Sequence, residues 1–168
     1  MVYANPRLTP MEIPENRPDD TVYKTYSNGK QTASYTNSEI TRFADSLYST
    51  YFAETDKTRP VFMSLDLETP LALATFLANN SHLHKVFIPA SFNMSKILTN
   101  IKHQESEVLV CDRDFFELKP PHNKVDEFRQ NVRSLAKIIV GSDTRVDDST
   151  LFEGIKAINV DPYRLGDL

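Results

Sequence analysis

The chain has 168 residues, 40% of them hydrophobic and 25% charged, with a formal net charge of -4. That length and balance suit one globular core and exclude wholesale disorder, and the acidic balance disfavours nucleic acid and anionic membrane as partners. Cys111 is the single cysteine, so no internal disulfide forms, which fits a reducing compartment. No apolar run approaches the roughly 18 residues of a membrane span. The N-terminus lacks the basic start and apolar stretch of a signal peptide, so the expected location is cytoplasmic.

Residues 1–20 carry four prolines and read as a linker or extended arm. In Thr21 to Tyr35, Asn28-Gly29 sits between β-formers, the strongest short hairpin signal. Thr36 to Phe52 places Ile40, Phe43, Ala44, Leu47, Tyr48 and Tyr51 at helical spacing, with Asn37 or Ser38 as the cap. Val61 to Leu65 is a short strand, apolar on both faces, as the centre of a parallel sheet requires. Thr69 and Pro70 then open a helix that runs to Asn80. A strand over Val86 to Pro89 and a helix over Asn93 to His103 follow, the latter capped by Asn93 or Ser95. Glu107 to Cys111 is the third strand, and Val125 to Leu135 the next helix. Lys137 to Val140, a short helix over Ser149 to Ala157, and Ile158 to Val160 complete the pattern.

The sum is a (βα)4β alternation, which forces parallel pairing through right-handed crossovers. The expected fold class is α/β: a flavodoxin-like, doubly wound, five-stranded parallel sheet with an N-terminal hairpin and helix extension. The expected division is a flanking unit over residues 1–58 and an α/β domain over 59–168.

Ligands of such sheets sit beyond the carboxyl ends of the strands, where strand order reverses. Those ends carry Asp66, Asp112, Ser142 and Asp161. In the order 2-1-3-4-5, Asp66 and Asp112 face each other across the switch point, and two close carboxylates suit Mg²⁺, a cation that prefers oxygen ligands. The competing structural reading is that these acids cap the following helices, where the helix dipole favours them. Cys111, inside a buried strand, reads as structural rather than nucleophilic. His82, His84, His103 and His122 show no zinc-like spacing and read as surface residues. The four glycines form no phosphate-binding run.

The strand ends VFMSLD, EVLVCD, IIVGS and the stretch GIKAINVDP resemble, in order and spacing, the receiver domain of two-component response regulators. The resemblance covers about residues 60–168. It implies that Asp112 stands at the phospho-acceptor position, Asp66 with Glu68 in the acidic pocket, and Ser142 at the switch hydroxyl. The family's lysine before its proline is replaced by Asp161, which would repel a phosphoryl group that a lysine would pair with. The resemblance therefore implies a degenerate pseudo-receiver: a non-catalytic signalling module that docks a protein partner or the neighbouring domains of a larger signalling protein, with no resident cofactor. Its alternative is an Mg²⁺-dependent phospho-accepting or phosphoryl-transfer domain using Asp66 and Asp112.

Three further resemblances are local. DLET, Asp66 to Thr69, is similar to the start of haloacid-dehalogenase-type phosphatases, where a second aspartate would replace Glu68, and to the start of exonucleases with an acidic metal site. Tyr35 to Leu47 and onward resembles the front of adenylate-forming ligases. The Gly/Ser/Thr-rich loop with a lysine that would cradle ATP phosphates does not follow in this chain.

Overall fold

The structure is a computed structural model that describes residues 21–90, 93–120, 122–147, 149 and 151–165; the expected arm over 1–20 lies outside the described residues. The chain enters as a two-stranded antiparallel hairpin, β1 (Thr21–Ser27) and β2 (Lys30–Thr36). Its turn has φ of 51° at Asn28 and 77° at Gly29. Positive φ at both central residues is what a type I′ turn demands, and Asn-Gly supplies it with least strain.

Helix α1 (Asn37–Leu47) starts directly from β2 and continues as a π-helical turn, Tyr48–Phe52. Its cap is Thr36, one residue before the pair expected from the sequence. The Thr36 hydroxyl accepts from the Glu39 N–H at 3.2 Å, and the Glu39 carboxylate accepts from the Thr36 N–H at 2.8 Å. This reciprocal capping box satisfies two donors that a helix start leaves open.

The remaining strands form a five-stranded sheet. They are β3 (Val61–Ser64), β4 (Val86–Phe87), β5 (Val108–Asp112), β6 (Lys137–Gly141) and β7 (Lys156–Val160). All four pairings are parallel, and the spatial order is β4-β3-β5-β6-β7, the 2-1-3-4-5 order expected. Helices α2 (Pro70–Ser81), α3 (Met94–Gln104), α4 (Arg113–Phe116) and α5 (Val125–Asn131) connect the strands.

Strand alternation sorts the core into two layers. Val61, Met63, Val110 and Ile139 face α1 and α2 in one buried cluster. Phe62, Leu109, Cys111 and Ile138 face α3 and the Phe115–Phe116 end of α4 in the other. Leu47 and Phe52, from the α1 segment, are fully buried in the first cluster with the sheet. Each such side chain contributes about 1.5–3 kcal/mol of burial. The amino edge of the sheet is tied by charge: Arg59 Nη1 lies 3.3 Å from Glu107, Nη2 lies 3.8 Å from Glu105, and Nε lies 3.7 Å from Asp56.

The expected helix over Ser149 to Ala157 is not formed. Residues 151–154 are turns, Gly154 has φ of 81°, and β7 already begins at Lys156. Leu151 and Phe152 are buried as their apolar character demands. The stretch before Gly154 is simply too short to offset the cost of nucleating a helix. An extra one-turn helix, α4, follows Asp112 instead. No helix among the described residues is long and apolar enough to cross a membrane.

Removing the capping box gives a direct check on the entry to α1. Thr36→Ala is expected to lower stability by about 1 kcal/mol in urea unfolding, and Thr36→Ser to restore most of it.

Candidate functional site

The carboxyl edge of the sheet gathers the residues singled out from the sequence. Register pairs Ser64 with Cys111 and Asp112 with Gly141, so the exits of β3, β5 and β6 are adjacent. Asp66, Asp112, Asp161 and Ser142 are each already engaged by nearby backbone, while the buried Ser64 Oγ has no partner. Asp66 accepts from the Glu68 N–H at 3.0 Å, closing a short turn, while Glu68 is exposed. Asp112 accepts from the Phe115 N–H at 2.8 Å and is the cap of α4. Asp161 accepts from the Tyr163 N–H at 2.9 Å. Ser142, 5% exposed, accepts from the Thr144 N–H at 3.2 Å, and its carbonyl accepts from Asn159 Nδ2 at 3.1 Å. Among the described residues, no group of three or more His, Cys, Asp or Glu is placed to hold a metal ion.

The start of α2 is likewise closed. Pro70 has no N–H, Leu71 donates to the Pro162 carbonyl at 3.2 Å, and Ala72 donates to Thr69 Oγ1 at 3.3 Å. A helix start binds anions through its open N–H groups, and here the first turn has none to spare. A Cβ on Gly141 would stand 2.9 Å from Leu65 Cδ1 and 3.2 Å from Leu71 Cδ2, with the Pro162 ring 3.5 Å away. The space over the middle strands is thus filled by apolar groups rather than left as a crevice.

The carboxyl edge also leaves apolar side chains open to solvent. Leu67 after β3, Ile88 after β4 and Tyr163 after β7 are 55%, 42% and 47% exposed. The Leu71–Pro162 hydrogen bond brings the Leu67 and Tyr163 segments together, and the Tyr35 hydroxyl holds the second by donating to the Tyr163 carbonyl. Burial pushes the Tyr35 phenol up. These exposed residues carry no alternation or motif, so a reading based on ionisable side chains passes over them.

One charged strut spans the edge. Arg113 Nε donates to Glu117 at 3.0 Å, and its Nη1 donates to Thr144 Oγ1 at 2.6 Å, joining the exits of β5 and β6. The hydrogen bond from Arg113 holds the Glu117 carboxyl below its ordinary range. Elsewhere, Cys111 is fully buried, and desolvation pushes its thiol well above the ordinary value, as a structural cysteine requires. Three of the histidines are exposed, but His84 is only 2% exposed; its Nε2 donates to the Arg59 carbonyl at 2.9 Å. Its polar neighbours in sequence hide that burial.

No family model matches the chain, and no curated protein matches it by sequence. Solved structures do match. The N-terminal domain of FACL13 from Mycobacterium tuberculosis, solved with an inhibitor, has a TM-score of 0.64 at 16% identity, over 86% of this chain and 37% of that one. The o-succinylbenzoate CoA synthetase (MenE) from Bacillus subtilis, solved with its product analogue OSB-NCoA, has a TM-score of 0.61 at 16% identity, over 77% of this chain and 26% of that one. The N-terminal subdomain of NpsA from Klebsiella oxytoca, in complex with anthranilyl-AMSN, has a TM-score of 0.57 at 15% identity, over 84% and 38%. At such identities the likeness is one of fold, and the chain spans between a quarter and two-fifths of the solved chains it matches.

These findings overturn the response-regulator receiver. Residues 59–168 are less than two-thirds of the chain, whereas the shared fold reaches 84–86% of it, so part of residues 1–58 belongs to that fold. The pseudo-receiver docking module falls with the family, as do its phospho-accepting alternative and the two-component assignment. The expectation of a non-enzyme loses its ground too, because the neighbours include a synthetase solved with AMP. Strand-end acids misled because a turn-forming or capping aspartate belongs at the exit of almost any parallel strand.

Two outcomes check the roles assigned to these side chains. Asp112→Ala is expected to cost about 1 kcal/mol in urea unfolding and Asp112→Asn only a few tenths, since Asn caps as well as Asp. For Glu117, a carboxyl depressed in the folded chain adds stability above its ordinary pKa of about 4.3 and loses it as pH falls through the folded value. Arg113→Ala is expected to move the Glu117 carboxyl titration, followed by carbon NMR, up towards that ordinary value.

Proposed function

We propose that this chain is a subdomain of an adenylate-forming ligase, and that its carboxyl edge forms part of the wall that faces the acyl or aryl group of an acyl-adenylate. The observation that carries the reading is the fold shared, over 84–86% of this chain, with subdomains solved in complex with anthranilyl-AMSN and with an inhibitor.

The chemistry of the edge supports a positioning role. Asp66, Asp112 and Asp161 are committed to turns and a cap, and the first turn of α2 has no open N–H for a phosphate. Leu67, Ile88 and Tyr163 offer an apolar rim instead, and exposed apolar groups gathered at one edge mark a contact surface. In this reading the nucleotide phosphates are handled by a loop outside these residues, since no Gly-rich loop with a lysine is among them. Mg²⁺ enters with those phosphates rather than through Asp66 and Asp112. The partners are the remaining parts of the same enzyme, and a cytoplasmic location, where ATP is present, suits the role.

The test is an amide NMR titration of the chain with anthranilyl-AMSN and, separately, AMP. Shifts centred on Leu67, Ile88 and Tyr163 with the aryl ligand, and much smaller ones with AMP, are expected. Millimolar aryl ligand that leaves these residues unmoved sinks the assignment.

A further inference from the structure

The Tyr163 side chain is 47% exposed, yet its backbone is tied on both sides. The direction of a Cα–Cβ bond is set by the two peptide planes that meet at that Cα, since each plane is rigid. The segment before Tyr163 is held twice. The Pro162 carbonyl accepts from the Leu71 N–H at 3.2 Å, and the Tyr163 N–H donates to Asp161 Oδ1 at 2.9 Å. The plane after Tyr163 carries its carbonyl, which accepts from the Tyr35 hydroxyl, 128 residues away in sequence. The N–H in that same plane belongs to Arg164 and closes a 3.4 Å bond to the Asp161 carbonyl within the turn itself. Tyr35 therefore ties this plane to an element outside the turn.

The hydroxyl is delivered from a stiff base. Tyr35 lies near the end of β2 and pairs with Tyr23 across the hairpin. The next residue, Thr36, is the cap whose reciprocal bonds with Glu39 fix the entry to α1. The Tyr35 ring is half-buried and meets the Phe43 ring edge-on, at 5.7 Å and 83°, and a tyrosine has only two side-chain torsions to fix. A phenylalanine would fill the same space against Phe43, so what the hydroxyl adds is the hold on the strap. The Leu165 backbone bonds the same phenol oxygen, and Leu165 itself is fully buried. Burial pushes the phenol up, so it keeps its donor proton across the neutral range.

We propose that Tyr35 is a positioning residue for the apolar rim: by holding the peptide plane after Tyr163, its hydroxyl sets where the Tyr163 ring stands beside a ligand. The nature of that ligand, the acyl or aryl group of an adenylate, rests on the ligase reading; the hold on Tyr163 does not. The physical gain is preorganisation. A ring on a backbone that is already fixed loses less freedom on docking than a ring on a loose strap, and the difference appears as affinity. The two tyrosines divide the task. Tyr163 supplies the contact surface, and Tyr35, which touches no ligand in this scheme, supplies the aim. The hairpin, which contributes no strand to the five-stranded sheet, thereby acts on the rim through one hydrogen bond.

Tyr35→Phe deletes the hydroxyl and keeps the ring, so this variant of the whole chain is expected to fold. Amide nitrogen relaxation without ligand reads the hold directly. The Tyr163 and Arg164 amides are expected near the rigid-backbone order parameter of about 0.85 in the parent chain, and to fall towards about 0.6 in Tyr35→Phe. Binding of anthranilyl-AMSN is expected to weaken by roughly two- to tenfold, the span of one hydrogen bond's net contribution. Two controls separate aim from plain stability. Thr36→Ala loosens the same junction but keeps the hydroxyl, and is expected to bind the ligand as the parent does. Tyr163→Ala removes the ring but keeps the carbonyl, and adding Tyr35→Phe to it is expected to change affinity no further. Unchanged order parameters in Tyr35→Phe, an equal loss of affinity in Thr36→Ala, or additive losses in the double variant would each overturn the proposal. A parent chain that takes no aryl ligand removes the ligase reading, and the order parameters then decide the hold by themselves.

Discussion

The carboxyl end of this molecule depends on one contact, the hydrogen bond from the Leu71 N–H to the Pro162 carbonyl. A doubly wound sheet opens a crevice where its strand order reverses, because neighbouring chains leave the sheet in opposite directions. Here the exit of β7 is drawn back towards the start of α2. Leu65, Leu71 and Pro162 close over Gly141, a position where a Cβ would meet Leu65 at 2.9 Å, and Leu165 is fully buried behind them. The contact also takes one of the few N–H groups that the first turn of α2 has to offer; Pro70 removes another and Thr69 a third. One bond thus fills the crevice and closes the helix start to anions, two features on which phosphate chemistry in α/β sheets commonly relies.

The two ends of the sheet are held differently. At the amino edge, Arg59 stands among Asp56, Glu105 and Glu107, and its carbonyl receives His84. Such half-exposed pairs are screened and individually worth at most about 1 kcal/mol. They fix the relative positions of the segments entering β3 and β5. At the carboxyl edge Asp66, Asp112 and Asp161 are engaged by backbone N–H groups, and the apolar side chains Leu67, Ile88 and Tyr163 stand in water beside them.

Much of the fold was legible because local physics and tertiary context agree. The runs VFMS, VLVCD and KIIVG are apolar on both faces, and helices cover both. Asn28-Gly29 turned as its backbone freedom requires, and Thr69 and Asn93 capped the helices they precede. The helix over 149–157 was misread because Leu151, Phe152 and Ile155 satisfy helical spacing, yet turns bury Leu151 and Phe152 equally well. The family was misread for a deeper reason. Receivers and this chain share the 2-1-3-4-5 order, and an aspartate after a parallel strand follows from turn and cap geometry in either. The discriminating signal was the segment ahead of the sheet: Thr36 and Glu39 launch α1 directly from the hairpin, and Leu47 and Phe52 enter the same core as β3 and α2.

One segment runs from the last strand of the sheet to its carboxyl edge. Residues 161–165 leave the outer strand β7 and at once lie over the carboxyl edge, held by Leu71 through Pro162, by Tyr35 through Tyr163, and by the burial of Leu165. They are short, and Asp161 and Pro162 stiffen their start. The segment is thus fixed at its start by the last strand of the sheet and along its length by α2 and the hairpin, which holds Tyr163 in place at the carboxyl edge.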